Sequence, residues 1–331
     1  MPAHIAHNLF SIQSLKESIN RDTQRIDHSS EPYLYLGAQG PDIFFHNQRT
    51  KPSGLAYGIK LHSTAYGKAC AAMAEELRGT EKKNEVYYFY GFITHAVLDR
   101  YTHPFIISRS GRETAGAHAF YERIIDVLML ARFKNISVNK YDFISTLPGG
   151  NEIPESITNF LSKVLIRVFP RSRMRSQCRE RVENAFSDAL SYYTHTNYID
   201  KEYICRALAR DDAGEMSNRW ITIVHPMWFP EEYDYLNIEN RIWTDPWTGK
   251  KRGESFPELW ISAKEEARWC LKTAFAVLSG KETPEVLEDV VGNGPLGGQE
   301  KNKKDQSYET PLPFGRILNM VREHINEECS S

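Results

Sequence analysis

The run 91–105, GFITHAVLDRYTHPF, sets His95, Asp99 and His103 four residues apart in a strongly apolar stretch. At 3.6 residues per turn each four-residue step drifts only about 40° round the axis, so the three side chains share one sector of a helix. Apolar residues from Val86 to His103, among them Phe89, Phe92, Ile93, Val97 and Leu98, fall on different sides, which predicts a central buried helix. An ionised carboxylate on such a helix is costly unless paired, and no Lys or Arg stands three or four residues from Asp99. Something in that sector has to compensate it. Pro104 lacks an N–H and disfavours helical geometry at the residue before it, so the helix is expected to end near His103, at the mouth of the row.

Helical periodicity recurs through the chain. Residues 9–20 read as an amphipathic helix, and YLGAQGPDIFFHNQRTKPSG as a turn, a short apolar segment and a polar loop. A second helix is expected from Tyr57 to Arg78, and further ones at AGAHAFYERIIDVLMLARF, PESITNFLSKVLIRVF, RERVENAFSDALSYYTHTNYI and FPELWISAKEEARWCLKTAFAVLSG. Alternating strand patterns with hairpin signals are nearly absent, so the fold class is all-α. One helical domain is expected over 1–290, a flexible Gly-, Pro- and charge-rich linker over 291–312, and a last helix over 313–331. The stretch HPMWFPEEYDYLNIENRIWTDPWTGKKRGESF is too Pro-rich for a long helix and too aromatic for a loose loop, and should pack on something.

Lys and Arg number 41 against 43 Asp and Glu, so the basic excess of a dedicated nucleic-acid binder is missing. Five scattered cysteines without CxxC spacing read as free thiols in a reducing compartment and supply no thiolate zinc site. No secretory leader is read at the N-terminus and no run has the apolar length of a membrane span, which makes a cytoplasmic protein the expectation.

His118 and Glu122 repeat the i, i+4 pairing of His95 and Asp99, a spacing that lets two side chains of one helix grip the same ion. His7, Asp42 and His62 stand in apolar or aromatic surroundings nearby in sequence. Each has a plainer reading: His95 as a hydrogen-bonded core histidine, and His118 with Glu122 as a solvated pair on a helix face. Their co-occurrence favours a shared metal cluster.

The order His7, Asp42, His62, His95-x3-Asp99-x3-His103, His118-x3-Glu122 resembles the zinc-dependent phospholipase C family and its relatives, the single-strand-specific zinc nucleases. The blocks IAHNLF, GAQGPDIFF, GFITHAVLD and HAFYERIID carry the likeness, over about residues 1–130. The resemblance implies an all-helical fold with two to three zinc ions in a cleft. It assigns Asp42, His62, His95 and Asp99 to one ion, His103, His118 and Glu122 to a second, and Asp99 with His7 to a third. Secreted family members complete that third site with an N-terminal tryptophan. Here the chain opens Met1-Pro2-Ala3-His4, and His4 is either a substitute ligand or a surface histidine. Asp126, one turn beyond Glu122, is read as a support for the ligands or as a solvent-facing residue.

Closely spaced zinc ions suit phosphoester hydrolysis. The expected function is therefore a phospholipase C-like, metal-dependent phosphodiester hydrolase, with Asp42 as the catalytic residue that orients or deprotonates water and a phosphodiester, such as a phospholipid, as its substrate. A zinc nuclease-like phosphodiesterase is the second reading, for which Trp228, Trp243 and Trp247 would supply a stacking wall and Arg171, Arg173, Arg175, Arg179 and Arg181 the cations, against ordinary packing and a solvated helix start. A metal-containing structural or binding protein is the reading from a different class. The sequence leaves the oligomeric state open.

Overall fold

The computed structural model describes residues 4–19, 26–111, 113–149, 152–197, 202, 205, 220–297 and 311–330. Among the described residues it is all-α apart from one hairpin of two short strands. The helices are α1 His4–Ser18, α2 Glu31–Ala38, α3 Leu55–Lys60, α4 Tyr66–Leu77, α5 Lys83–Ser110, α6 Ala117–Lys134, α7 Glu155–Val168 and α8 Cys178–Thr196, followed by α9 Phe256–Leu278, α10 Pro284–Val291 and α11 Phe314–Ser330. Strands β1 Trp243–Thr244 and β2 Lys251–Arg252 pair antiparallel.

Helix α5 is the axis of the molecule. It packs against α1, α2, α4, α6, α7, α9 and α10, and its residues Phe89, Phe92, Ile93, Val97 and Leu98 are all buried. Its crossing with α2 is very close: a Cβ on Gly91 would lie 2.0 Å from the Leu34 carbonyl oxygen, and one on Gly37 would lie 1.9 Å from that of Tyr88. Glycine at both positions lets the two backbones touch.

Three expectations are corrected. First, α5 does not stop near His103 but runs through Pro104 to Ser110. Proline inside a helix costs about 3 kcal/mol, whereas Phe105 and Ile106 are 0% exposed and their burial returns roughly 1.5–3 kcal/mol each. Packing of Phe105 against Trp243, Tyr121 and Phe256 carries the helix past the proline. His103 is therefore an interior residue of the helix. Second, α2 occupies the segment read as a turn, and a 3₁₀ turn, Gly40–Phe44, follows it. Third, Cys205 and Cys329 form a disulfide that ties α11 to residue 205, so the free-thiol reading holds only for Cys70, Cys178 and Cys270, all buried.

The expected 57–78 helix is present in two pieces, α3 and α4, joined by a wider π-type turn over Leu61–Ala65. The aromatic stretch 225–256 packs as expected: Trp243 is 1% exposed, edge-on to Phe105, with Arg252 over its ring. Of the expected linker, residues 291–297 lie against α4 and α5, and 298–310 fall outside the described residues. No helix among the described residues is long and apolar enough to cross a membrane.

Candidate metal centre

Four elements bring five ligand-type side chains to one place. Helix α1 supplies His7, the 3₁₀ turn Asp42, the π-type turn His62, and α5 both His95 and Asp99. His62 Nε2 lies 2.8 Å from Asp42 Oδ1, and His95 Nε2 lies 3.7 Å from the same oxygen. Asp99 turns one oxygen to His7 Nε2 and the other to His95 Nε2, each at 3.5 Å. The rings of His7 and His95 stack with centroids 4.3 Å apart.

The local backbone explains how these groups converge. His95 Nδ1 is 2.9 Å from the Ala38 carbonyl oxygen, so Nδ1–H donates there and the Nε2 lone pair faces the cluster. Gly40, at φ 55°, lies against that ring: a Cβ would sit 2.4 Å from its carbons. A glycine in GAQGPD is thus required both for the left-handed turn and for the imidazole beside it. π-type turns redirect side chains within a helix and recur at functional sites, and here one carries His62.

A second group stands on α5 and α6. His103 Nε2 lies 3.3 Å from His118 Nε2, which lies 2.9 Å from Glu122 Oε1. The segment after α10 packs over both groups. Arg100 donates to the carbonyls of Val291, Gly292 and Gly294, and the Leu296 N–H donates to the His62 carbonyl at 2.8 Å.

The donor set fits metal ions. Both nitrogens of His7, Nε2 of His95 and both oxygens of Asp99 are buried without a hydrogen-bond partner. Asp99 is 0% exposed, and no Lys or Arg among the described residues pairs with it. Converging carboxylate oxygens and imidazole nitrogens left without hydrogen-bond partners suit a cation. Three sets, His7/Asp42/His95, His62/His95/Asp99 and His103/His118/Glu122, each place their ligand atoms within 4.8 Å of one another. Burial lowers the pKa of His7 to about 3 and those of His62 and His95 to about 4, which leaves neutral rings at pH 7. Burial, reinforced by the charge of Asp99, pushes Asp42 upward.

All eight residues singled out in the sequence thus fall into two neighbouring groups. His4 does not join them. It lies with Asp126 and His225 in a further buried set, where Arg123 Nη1 is 2.8 Å from His4 Nδ1. Asp126 is 0% exposed and faces no solvent. Sequence reasoning missed Arg123 and His225, which carry no spacing signal because their partners are far away in the chain. The expectation about Met1, Pro2 and Ala3 falls outside the described residues.

Some of the features read for nucleic acid are engaged within the fold. Arg179 pairs with Glu183 and Glu155, Arg181 donates to the Ser53 carbonyl, and Trp228 stacks on His324. A cavity of about 630 Å³ opens beside the 3₁₀ turn, lined by His46, Arg49, Tyr192, His195 and Trp220 among others.

Searches of curated proteins and of solved structures each return no match. The family model described as zinc dependent phospholipase C matches residues 1–171, further than the 1–130 that the sequence blocks span. That range contains both ligand groups, the 3₁₀ and π-type turns that aim Asp42 and His62, and the whole of α5 and α6. The chain belongs to the zinc-dependent phospholipase C family.

Proposed function

We propose that this protein is a phospholipase C-like phosphodiester hydrolase, with His7, Asp42, His62, His95, Asp99, His103, His118 and Glu122 holding two to three zinc ions. The observation that carries the reading is the buried set of unpartnered atoms, both nitrogens of His7, Nε2 of His95 and both oxygens of Asp99, inside the family-matched half. Zinc, when bound, polarises water and neutralises charge on the phosphoryl and leaving oxygens. The protein's own groups place and protect that chemistry. His95, locked by the Ala38 carbonyl, cannot rotate away from Asp99. Asp99 is sealed, whereas the Asp42 side chain is 15% exposed, so only the latter meets incoming water. Held ionised by the cations of a loaded site, Asp42 would orient that water and accept its proton at a carboxylate oxygen as the water oxygen bonds to phosphorus. The bond from phosphorus to the leaving oxygen breaks and the proton passes from Asp42 to that oxygen, giving an alcohol and a phosphomonoester and restoring the carboxylate.

The test is turnover of bis(p-nitrophenyl) phosphate, abolished by a chelator and restored by zinc, followed by product analysis on short-chain phosphatidylcholine. Release of diacylglycerol and phosphocholine supports the reading. Nucleotide release from single-stranded nucleic acid, with the lipid untouched, replaces it with the nuclease. A fully metallated protein that turns over none of these substrates contradicts hydrolysis altogether.

A further inference from the structure

The first N–H groups of a helix have no acceptor within it. At the start of α1 they find one on a distant helix: Ile5 N–H donates to Asp126 Oδ2 at 3.1 Å, and Ala6 N–H donates to Asp126 Oδ1 at 2.7 Å. A carboxylate there also faces the positive end of the helix dipole. Asp126 stands on α6, one turn after Glu122, and Arg123 of the same helix bonds to His4, the first residue of α1. His7 follows Ala6 directly. One face of α6 therefore carries a ligand of the second group and grips the helix that carries a ligand of the first.

The remaining contacts make this grip a closed network. His225 Nε2 lies 2.9 Å from Asp126 Oδ2 and 3.4 Å from Arg123 Nη1, and Arg123 Nη2 donates to the Tyr192 hydroxyl at 2.6 Å. Arg123 is 5% exposed, and no carboxylate among the described residues forms an ion pair with it directly. Its charge is answered by Asp126 through the His225 ring between them. The guanidinium already stands against both imidazoles of the His4, Asp126 and His225 set, which argues against an ion in that place. An ordinary Ser or Asp cap on α1 would satisfy the same N–H groups, but it would not fix α1 to α6.

We infer that Asp126, held by His225, is a positioning residue that sets the distance of His7 from the ligands on α5 and α6, and so tunes zinc affinity from beneath the centre. This rests on the assignment of His7 as a zinc ligand. Supporting groups of this kind typically change metal affinity about 10- to 100-fold when altered. Asn at position 126 offers one acceptor oxygen and a misdirected NH₂ to two N–H donors. Ala at 225 strips Asp126 of its side-chain partner, whereas Gln keeps an N–H donor there.

The experiment measures zinc affinity by chelator competition, and the melting temperature with and without zinc, for wild type, Asp126→Asn, His225→Ala and His225→Gln. The expected result is at least a tenfold loss of affinity in the first two variants, a smaller zinc-induced rise in Tm, and recovery of most of the affinity in His225→Gln. A purely structural role would lower Tm equally with and without zinc and leave affinity untouched, and that result overturns the inference. If Asp126→Asn does not fold, the two His225 variants decide in the same way. A wild-type chain that binds no zinc overturns the ligand assignment as well; zinc binding without phosphodiesterase turnover overturns only the proposed reaction.

Discussion

Histidines that a fold keeps neutral make that fold sensitive to acid. His7, His46, His62 and His95 are each lowered by burial from the ordinary 6.5, to about 3 for the first two and about 4 for the others. Between those values and 6.5 the unfolded chain binds more protons than the folded one, so stability is complete above 6.5 and is lost as pH falls through that window. Asp42, pushed upward, works in the opposite sense, but it is one group against these four and against His4, His103 and His225, which burial lowers as well. Chelator-treated protein should therefore melt on the order of five degrees lower at pH 5 than at pH 7.5; calorimetry across that range checks it, and an unchanged Tm would contradict neutral buried rings. At this scale the ligands were legible because His95, Asp99, His118 and Glu122 advertise themselves by four-residue spacing in an apolar context. Asp126 was half legible, since its place one turn beyond Glu122 pointed to a supporting role but not to the helix it grips. Arg123 and His225 were not legible: their contacts with His4 and Asp126 span 119 and 99 residues, and no periodicity encodes a contact of that range.

Elements position these residues through their irregularities more than through their regular turns. The π-type turn adds room within the 55–77 helical run, and there the His62 carbonyl accepts from Leu296 while the Gly67 N–H turns to the Gly292 carbonyl. Apolar periodicity is nearly blind to such a turn, which is why one continuous helix was expected. Pro104 misled in the other direction: local chemistry predicts a stop, and the burial of Phe105 and Ile106 overrides it. The 291–297 segment reads as linker by composition yet is fixed by Arg100, because its bonds are made through backbone carbonyls that composition does not reveal. Arg100→Ala removes three such bonds and should lower stability by roughly 1–3 kcal/mol. Hydrogen exchange at the Leu296 amide should speed up in step, since that N–H reaches His62 only while the segment is held. Unchanged protection at Leu296 would show that α10 alone places the segment.

At the scale of the whole molecule, an all-α fold was legible from helical periodicity and from the lack of alternating strands, and the metal site from the family-like order of ligands in the first 122 residues. The second half was not, because its contribution is to pack and to brace: Trp243 against Phe105, Tyr192 against Arg123, His225 against Asp126, and the 291–297 segment over His62. The disulfide between Cys205 and Cys329 joins positions 124 residues apart without any spacing motif. Both halves enclose a buried cluster of unpartnered ligand-type atoms that zinc would stabilise. Removing the central carboxylate separates zinc binding from ordinary packing: Asp99→Asn relieves a buried, unpartnered charge, so the zinc-free variant should be as stable as zinc-free wild type or more so, while its zinc is lost. The most direct measurement is elemental analysis of wild type and Asp99→Asn, purified without chelators and reconstituted with zinc. The account predicts at least two zinc ions per chain in wild type and a clear deficit in the variant; fewer than one ion per chain in wild type, or equal zinc in both, would contradict it.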